Sequence, residues 1–191
     1  MKIIPLSEGT FTVDRTKKFI PFDPAKDDLK SRPPGSLLVE IQPFAVITSK
    51  DILVLDTGLG FQTPDGSLQI HSNLLEAGIN PMEVTKVLMS HLHKDHAGGL
   101  SIEDTLLGKR FLSFPNATYY VNKQELEIAL SGLSSSYRKE DVEILTETDK
   151  LVLIESEGVI DDYIRYAWTG AHCPWHQAFW IEENGQTVFF G

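Results

Sequence analysis

Three of the chain's six histidines fall within six consecutive residues, His91, His93 and His96, and Asp95 stands beside the last. The short apolar run Val84 to Met89 leads straight into them, so a buried strand is expected to deliver Ser90-His91-Leu92-His93-Lys94-Asp95-His96-Ala97-Gly98-Gly99 to its end. In an extended segment residues i and i+2 face the same side, so His91 and His93 can present their imidazoles to one point. Where the chain turns, Asp95 and His96 can face a second point nearby, with Gly98-Gly99 giving the backbone room. That arrangement suits a binuclear metal site. Neutral imidazole and carboxylate are good Zn²⁺ ligands, and with one cysteine in the chain, Cys173, neither a thiolate-closed structural zinc site nor an intrachain disulfide framework is available. About eighty residues on, Thr169-Gly170-Ala171-His172-Cys173-Pro174-Trp175-His176 lies between two predicted strands and offers a further histidine.

The rest of the sequence narrows what can surround this cluster. At 191 residues a single domain, 1–191, is the default. An apolar content of 41% and a charged content of 23% argue against disorder and fibrous repeats. Lys plus Arg total 17 against 27 for Asp plus Glu, so the net charge of −10 would repel a phosphate backbone, and no nucleic-acid partner is expected. No stretch is apolar for the ~18 residues of a membrane span, and the start MKIIPLSEG lacks the apolar core of a signal peptide. A cytoplasmic protein without membrane contact is the expectation.

Strands are expected at Phe11 to Val13, Ala117 to Val121, Leu151 to Ile154, Tyr163 to Trp168, Gln177 to Ile181 and Thr187 to Phe190, the last two joined at Asn184-Gly185, a strong hairpin signal. Ser36 to Thr48 and Ile52 to Leu55 read as a hairpin ending in Asp56-Thr57-Gly58-Leu59-Gly60. Pro21 to Gly35 reads as an ordered surface loop. Helical patterns cover His71 to Gly78 and Lys123 to Leu130, with Ser131-Gly132 as a stop, and Asn80-Pro81-Met82-Glu83 is a capped single turn. On these patterns alone the chain is a mixed α/β domain with mostly antiparallel hairpins.

SHLHKDHAGG resembles the HxHxDH signature of the metallo-β-lactamase superfamily. TGAHCPWH is similar to that family's later GHTPGH-type turn, and VLDTGLG to its early aspartate-bearing strand end. The motifs stand in the family's order, and FPNATYYVNKQELEIA is similar to a stretch of its lactonase-like branch. The resemblance implies an α+β fold, the αβ/βα sandwich of that family, with its C-terminal part missing. It also implies that His91, His93 and His172 bind one metal and Asp95 and His96 a second, with Asp56 supporting the site from behind. The cofactor implied is zinc, one or two ions. The activity implied is hydrolysis of a small ester or lactone by a hydroxide held on the metals, with Asp95 passing a proton to the leaving group. Thioester, β-lactam and phosphotriester substrates remain open, as does a catalytically incomplete metal-binding fragment. Trp175 and Cys173 stand where the family usually has glycine and threonine. Thr187 to Gly191 resembles the strand that leads to the family's metal-bridging aspartate, and stops short of it. Truncation there would leave an edge strand for a homodimer to pair.

The remaining conspicuous side chains have plainer expectations. His176 is expected to pack or hydrogen-bond, Cys173 to be a small buried residue, His71 to be an exposed helix-start residue, and Trp168, Trp175 and Trp180 to lie in the core.

Overall fold

A computed structural model describes residues 1–191. The order is β1 (Lys2–Pro5), β2 (Gly9–Val13), β3 (Phe19–Pro21), β4 (Leu37–Ile41), β5 (Phe44–Ile47), β6 (Ile52–Leu55), α1 (Gln69–Glu76), β7 (Lys86–Leu88), α2 (Lys94–Ala97), β8 (Ser101–Asp104) and β9 (Lys109–Leu112). There follow β10 (Thr118–Asn122), α3 (Lys123–Ser131), α4 (Lys139–Val142), β11 (Leu151–Ile154), β12 (Glu157–Ile160), β13 (Ile164–Trp168), β14 (Gln177–Glu183) and β15 (Gln186–Phe190). A six-stranded sheet runs β1-β5-β6-β7-β10-β11 and a four-stranded sheet β12-β13-β14-β15; β3-β2-β4 and β8-β9 form smaller sheets.

Alternation along the central strands builds two cores from one sheet. Ala45, Val54, Val87, Tyr119 and Val121 point to one face, where they meet Ile70 and Leu74 of α1 and Leu126 and Ala129 of α3. Their neighbours Val46, Leu53, Leu55, Leu88 and Tyr120 point to the other face, against Ile164, Phe179 and Ile181 of the four-stranded sheet. The layers are therefore helices, large sheet, small sheet, and the run ILVL is apolar throughout because both its faces are covered.

The expected elements appear, with informative differences. The Ser36 to Thr48 segment is two strands, because Gln42-Pro43 breaks it: β4 pairs with β2 in the three-stranded sheet while β5 pairs with β6 as the hairpin. Mostly antiparallel pairing fails at the centre, where β6, β7, β10 and β11 run parallel. Their C-terminal ends thus share one edge, and that edge carries the candidate site. Asn80 and Glu83 form the expected capping box on a single 3-10 turn, Pro81–Glu83, and Gly132 caps α3 at φ 68°. The hairpin at Asn184-Gly185 has both residues at positive φ, 51° and 74°, as a primed turn requires. The tryptophans are not core residues: Trp168 is 52% exposed, and Trp180, on the outer face of β14, meets the tilted ring of Phe189 at 5.3 Å. Period-2 alternation sends Phe179 and Ile181 inward and Trp180 out. No helix is long and apolar enough to cross a membrane.

Candidate metal centre

Each chemistry-bearing side chain leaves the end of a strand in the parallel part of the sheet or a neighbouring turn. β6 ends at Leu55, and Asp56 directly after it adopts φ 56°, a left-handed conformation uncommon for a residue other than glycine. β7 ends just before Ser90, His91 and His93, and His93 opens the short helix α2, which holds Asp95 and His96. The turn between β13 and β14 brings His172 and His176 back over this edge. The rings of His91 and His93 lie 4.6 Å apart, and His91 to His172 is 4.8 Å. His93 Nδ1 is 3.2 Å from His172 Nε2.

Two groups of ligand atoms result, and His91 belongs to both. One atom from each of His91, His93 and His172 lies within 4.8 Å of the others, and the same holds for Asp56, His91 and His96. The first group is the trio the motif implied. The second group brings Asp56 to His96, and Asp95 stands on the other side of that ring, its Oδ2 3.6 Å from His96 Nε2.

Hydrogen bonding explains how the imidazoles are oriented. Asp56 Oδ1 accepts the Ser90 backbone N–H at 2.7 Å, and Oδ2 accepts the Ser90 hydroxyl at 2.6 Å. Having donated its proton, the Ser90 Oγ accepts from His91 Nδ1 at 3.0 Å. His91 Nε2 then carries the lone pair, and this nitrogen is buried without a hydrogen-bond partner. An unpartnered buried acceptor costs free energy unless something binds it. Asp56 Oδ2 also takes the Nδ1 proton of His96 at 2.7 Å, which frees the Nε2 lone pair of that ring as well. One carboxylate thus sets the tautomer of two histidines, the arrangement by which ligand imidazoles are commonly held.

The electrostatics favour neutral, electron-donating rings. Burial, then the neighbouring imidazoles His96 and His93, drives the His91 pKa far below its ordinary value. Burial and His172 bring His93 down to about 4. His96 goes the other way: burial opposes its charged form, but the Asp56 carboxylate outweighs that and raises it. A divalent cation fits this donor set, because it would satisfy the orphaned His91 nitrogen and replace mutual repulsion among the rings with attraction.

His176 holds the turn, as a hydrogen-bonding role requires: its carbonyl accepts Thr169 N at 2.8 Å and its Nδ1 faces Thr169 Oγ1 at 2.9 Å. His71 corrects the expectation of exposure, being half-buried with Nε2 2.9 Å from the Ser113 carbonyl oxygen. Cys173 is buried, and burial together with Glu125 pushes its thiol up to about 12. Glu125 itself was missed by the sequence reading. Fully buried on α3, it accepts Leu92 N at 3.1 Å and stands 3.6 Å from the Cys173 sulfur, so it joins the His91–His93 segment to the His172 turn. A charged residue beside Leu126 on the apolar face of a helix was the available signal. The glycines of HAGG matter for close approach: a Cβ on Gly98 would lie 2.2 Å from the Leu59 carbonyl oxygen, and one on Gly99 2.1 Å from that of Thr57.

The family model for the metallo-beta-lactamase superfamily matches residues 39–190, more than half of the chain. The chain belongs to the metallo-β-lactamase superfamily. Among curated members, the N-acyl homoserine lactonase AttM of Azorhizobium caulinodans is 27% identical over 115 residues, covering 54% of this chain and 38% of that protein. AttM of Agrobacterium fabrum is 29% identical over the same shares. The matched region is therefore well under half the length of these curated relatives. Among solved structures, a probable metal-dependent hydrolase from Staphylococcus aureus superposes with a TM-score of 0.75 at 21% identity, covering 98% of this chain and 71% of that one. The dizinc quorum-quenching lactonase AidC superposes with a TM-score of 0.69 at 17% identity, covering 98% and 69%. These likenesses establish the metallo-β-lactamase fold.

Proposed function

We propose that this superfamily member is a zinc-dependent hydrolase of small esters, lactones first, using one or two zinc ions. The observation that carries the reading is the lone pair on His91 Nε2, buried and unpartnered on the one residue common to the two ligand groups. The lactonase names of the curated relatives support the substrate class.

In this reading His91, His93 and His172 hold the first ion, and Asp95 and His96 hold the second, with Asp56 orienting His91 through Ser90 and His96 directly. When bound, zinc supplies Lewis acidity, lowering the pKa of a water towards neutrality and polarising a scissile carbonyl. Asp95 takes a proton from the attacking water and passes it to the leaving oxygen as the ester C–O bond breaks. A cleft of ≈ 600 Å³ opens over the cluster, and Ala171, Ala178 and Phe189 give it an apolar wall against which an acyl chain packs.

The test is hydrolysis of N-hexanoyl homoserine lactone and of nitrophenyl esters by zinc-loaded protein. Turnover that a chelator abolishes and zinc restores is expected. Folded, zinc-loaded protein that cleaves none of them contradicts the proposal.

A further inference from the structure

Beside the histidine cluster lies a second cleft, of ≈ 300 Å³, whose lining includes Lys17, Lys18, Lys94 and Arg138 and no carboxylate. Such a gathering is notable in a chain with 17 cationic against 27 acidic residues. Phe19, Leu59 and Phe61 complete the walls, and apolar walls strengthen the field of the cations they surround. Neither Lys18 nor Lys94 makes an ion pair; Lys94 Nζ instead stands 6.0 Å above the Phe19 ring. Arg138 commits its Nε to Asp141 at 2.5 Å, which leaves its terminal guanidinium donors for another acceptor.

The cleft is built and not a chance of surface side chains. Lys17 sits at φ 55°, a strained conformation for lysine, in the loop between β2 and β3. Its backbone N–H donates to the Asp14 carbonyl at 2.9 Å, and Asp14 Oδ1 accepts from Thr16 at 2.8 Å, so the loop is locked. From there Lys17 Nζ reaches Ser136 Oγ at 2.5 Å, closing the hairpin over a segment 119 residues away. The same elements form the edge of the candidate metal centre. Lys94 follows His93 directly, and Tyr137, which precedes Arg138, places its ring 4.8 Å from that of His93.

We propose that this cleft binds an oxyanion, a carboxylate or a phosphate, carried on the small molecule whose ester reaches the histidine cluster. The substrate part rests on the hydrolase reading above; the anion site does not. Paired cations with free N–H donors are the chemistry that recognises such groups.

Inorganic phosphate and glutarate, titrated by calorimetry at low ionic strength into chelator-treated protein, test the site without metal. Saturable binding is expected for the native protein and for His91→Ala, and the tighter of the two probes identifies the anion. Lys18→Glu should weaken binding by about tenfold or more, a modest figure for reversing one charge at close range. Lys17 and Lys18 are exposed, so this variant should fold, which circular dichroism checks; Arg138→Gln gives a second loss. No saturable binding by native protein, or equal binding by Lys18→Glu, overturns the proposal.

With zinc bound, the nitrophenyl ester of glutaric acid should show a higher kcat/KM than the butyrate ester, with the preference lost in Lys18→Glu. Equal cleavage of both esters without anion binding overturns the cleft and leaves the hydrolase reading. Anion binding without cleavage of either upholds the site and removes the hydrolase reading instead.

Discussion

His96 Nδ1 lies 2.7 Å from Asp56 Oδ2, a contact that joins the end of β6 to α2 across forty residues of sequence. The same carboxylate reaches His91 through the Ser90 hydroxyl. Asp56→Asn keeps an acceptor for the Ser90 N–H but removes the charge and frees the His96 ring. Zinc affinity, measured against a competing chelator, should fall about 10- to 100-fold with the fold unchanged.

Gly98 tests the close approach that lets the two loops share one edge. Gly98→Ala puts a Cβ 2.2 Å from the Leu59 carbonyl oxygen, and this neighbour is backbone that cannot swing away. Urea unfolding should show a loss of roughly 1–3 kcal/mol or more, the scale of overpacking a filled interior. Gly66→Ala meets nothing within 4 Å but has φ 86°, so it should cost only the smaller backbone strain.

Glu8 makes stability depend on pH. Buried against the loop after Asp56, it accepts Leu59 N at 2.6 Å, yet burial raises its pKa from 4.5 to about 7. Between those values the folded protein keeps the proton and the unfolded chain has released it. The contribution is therefore fully present below 4.5 and is lost as pH rises through 7. At 1.36 kcal/mol per unit this amounts to about 3 kcal/mol. Glu8→Gln should flatten that part of the curve; an unchanged pH dependence of urea unfolding would contradict the assignment.

Glu125 makes a prediction about Cys173. With the thiol held up at about 12, labelling by a disulfide reagent at pH 8 should be slow in the folded protein. Glu125→Gln removes a neighbouring negative charge and should speed it. Glu125→Ala strands the Leu92 N–H and should also lose roughly 1–3 kcal/mol of stability.

Most of the candidate site's side chains were legible because their spacing is local: His91, His93, Asp95 and His96 need only one strand end and one turn. The helix stops and the Asn184-Gly185 hairpin were legible for the same reason. Parallel pairing of β6, β7 and β10 was not, since apolar runs record burial on both faces and say nothing of direction. Glu125, Ser90 and the Lys17 cleft escaped notice because their partners lie in other segments. Trp180 and Trp168 were misplaced because an aromatic residue in a strand fits the inner and the outer face alike until the register is known.

The most direct test of the account is metal content per chain, by plasma mass spectrometry, on protein purified without chelator. His91 is a ligand of the first ion, so one or two zinc ions are expected in the native protein and at least one fewer in His91→Ala. Native protein that is folded yet metal-free, or a His91→Ala variant that keeps all its zinc, would contradict the account.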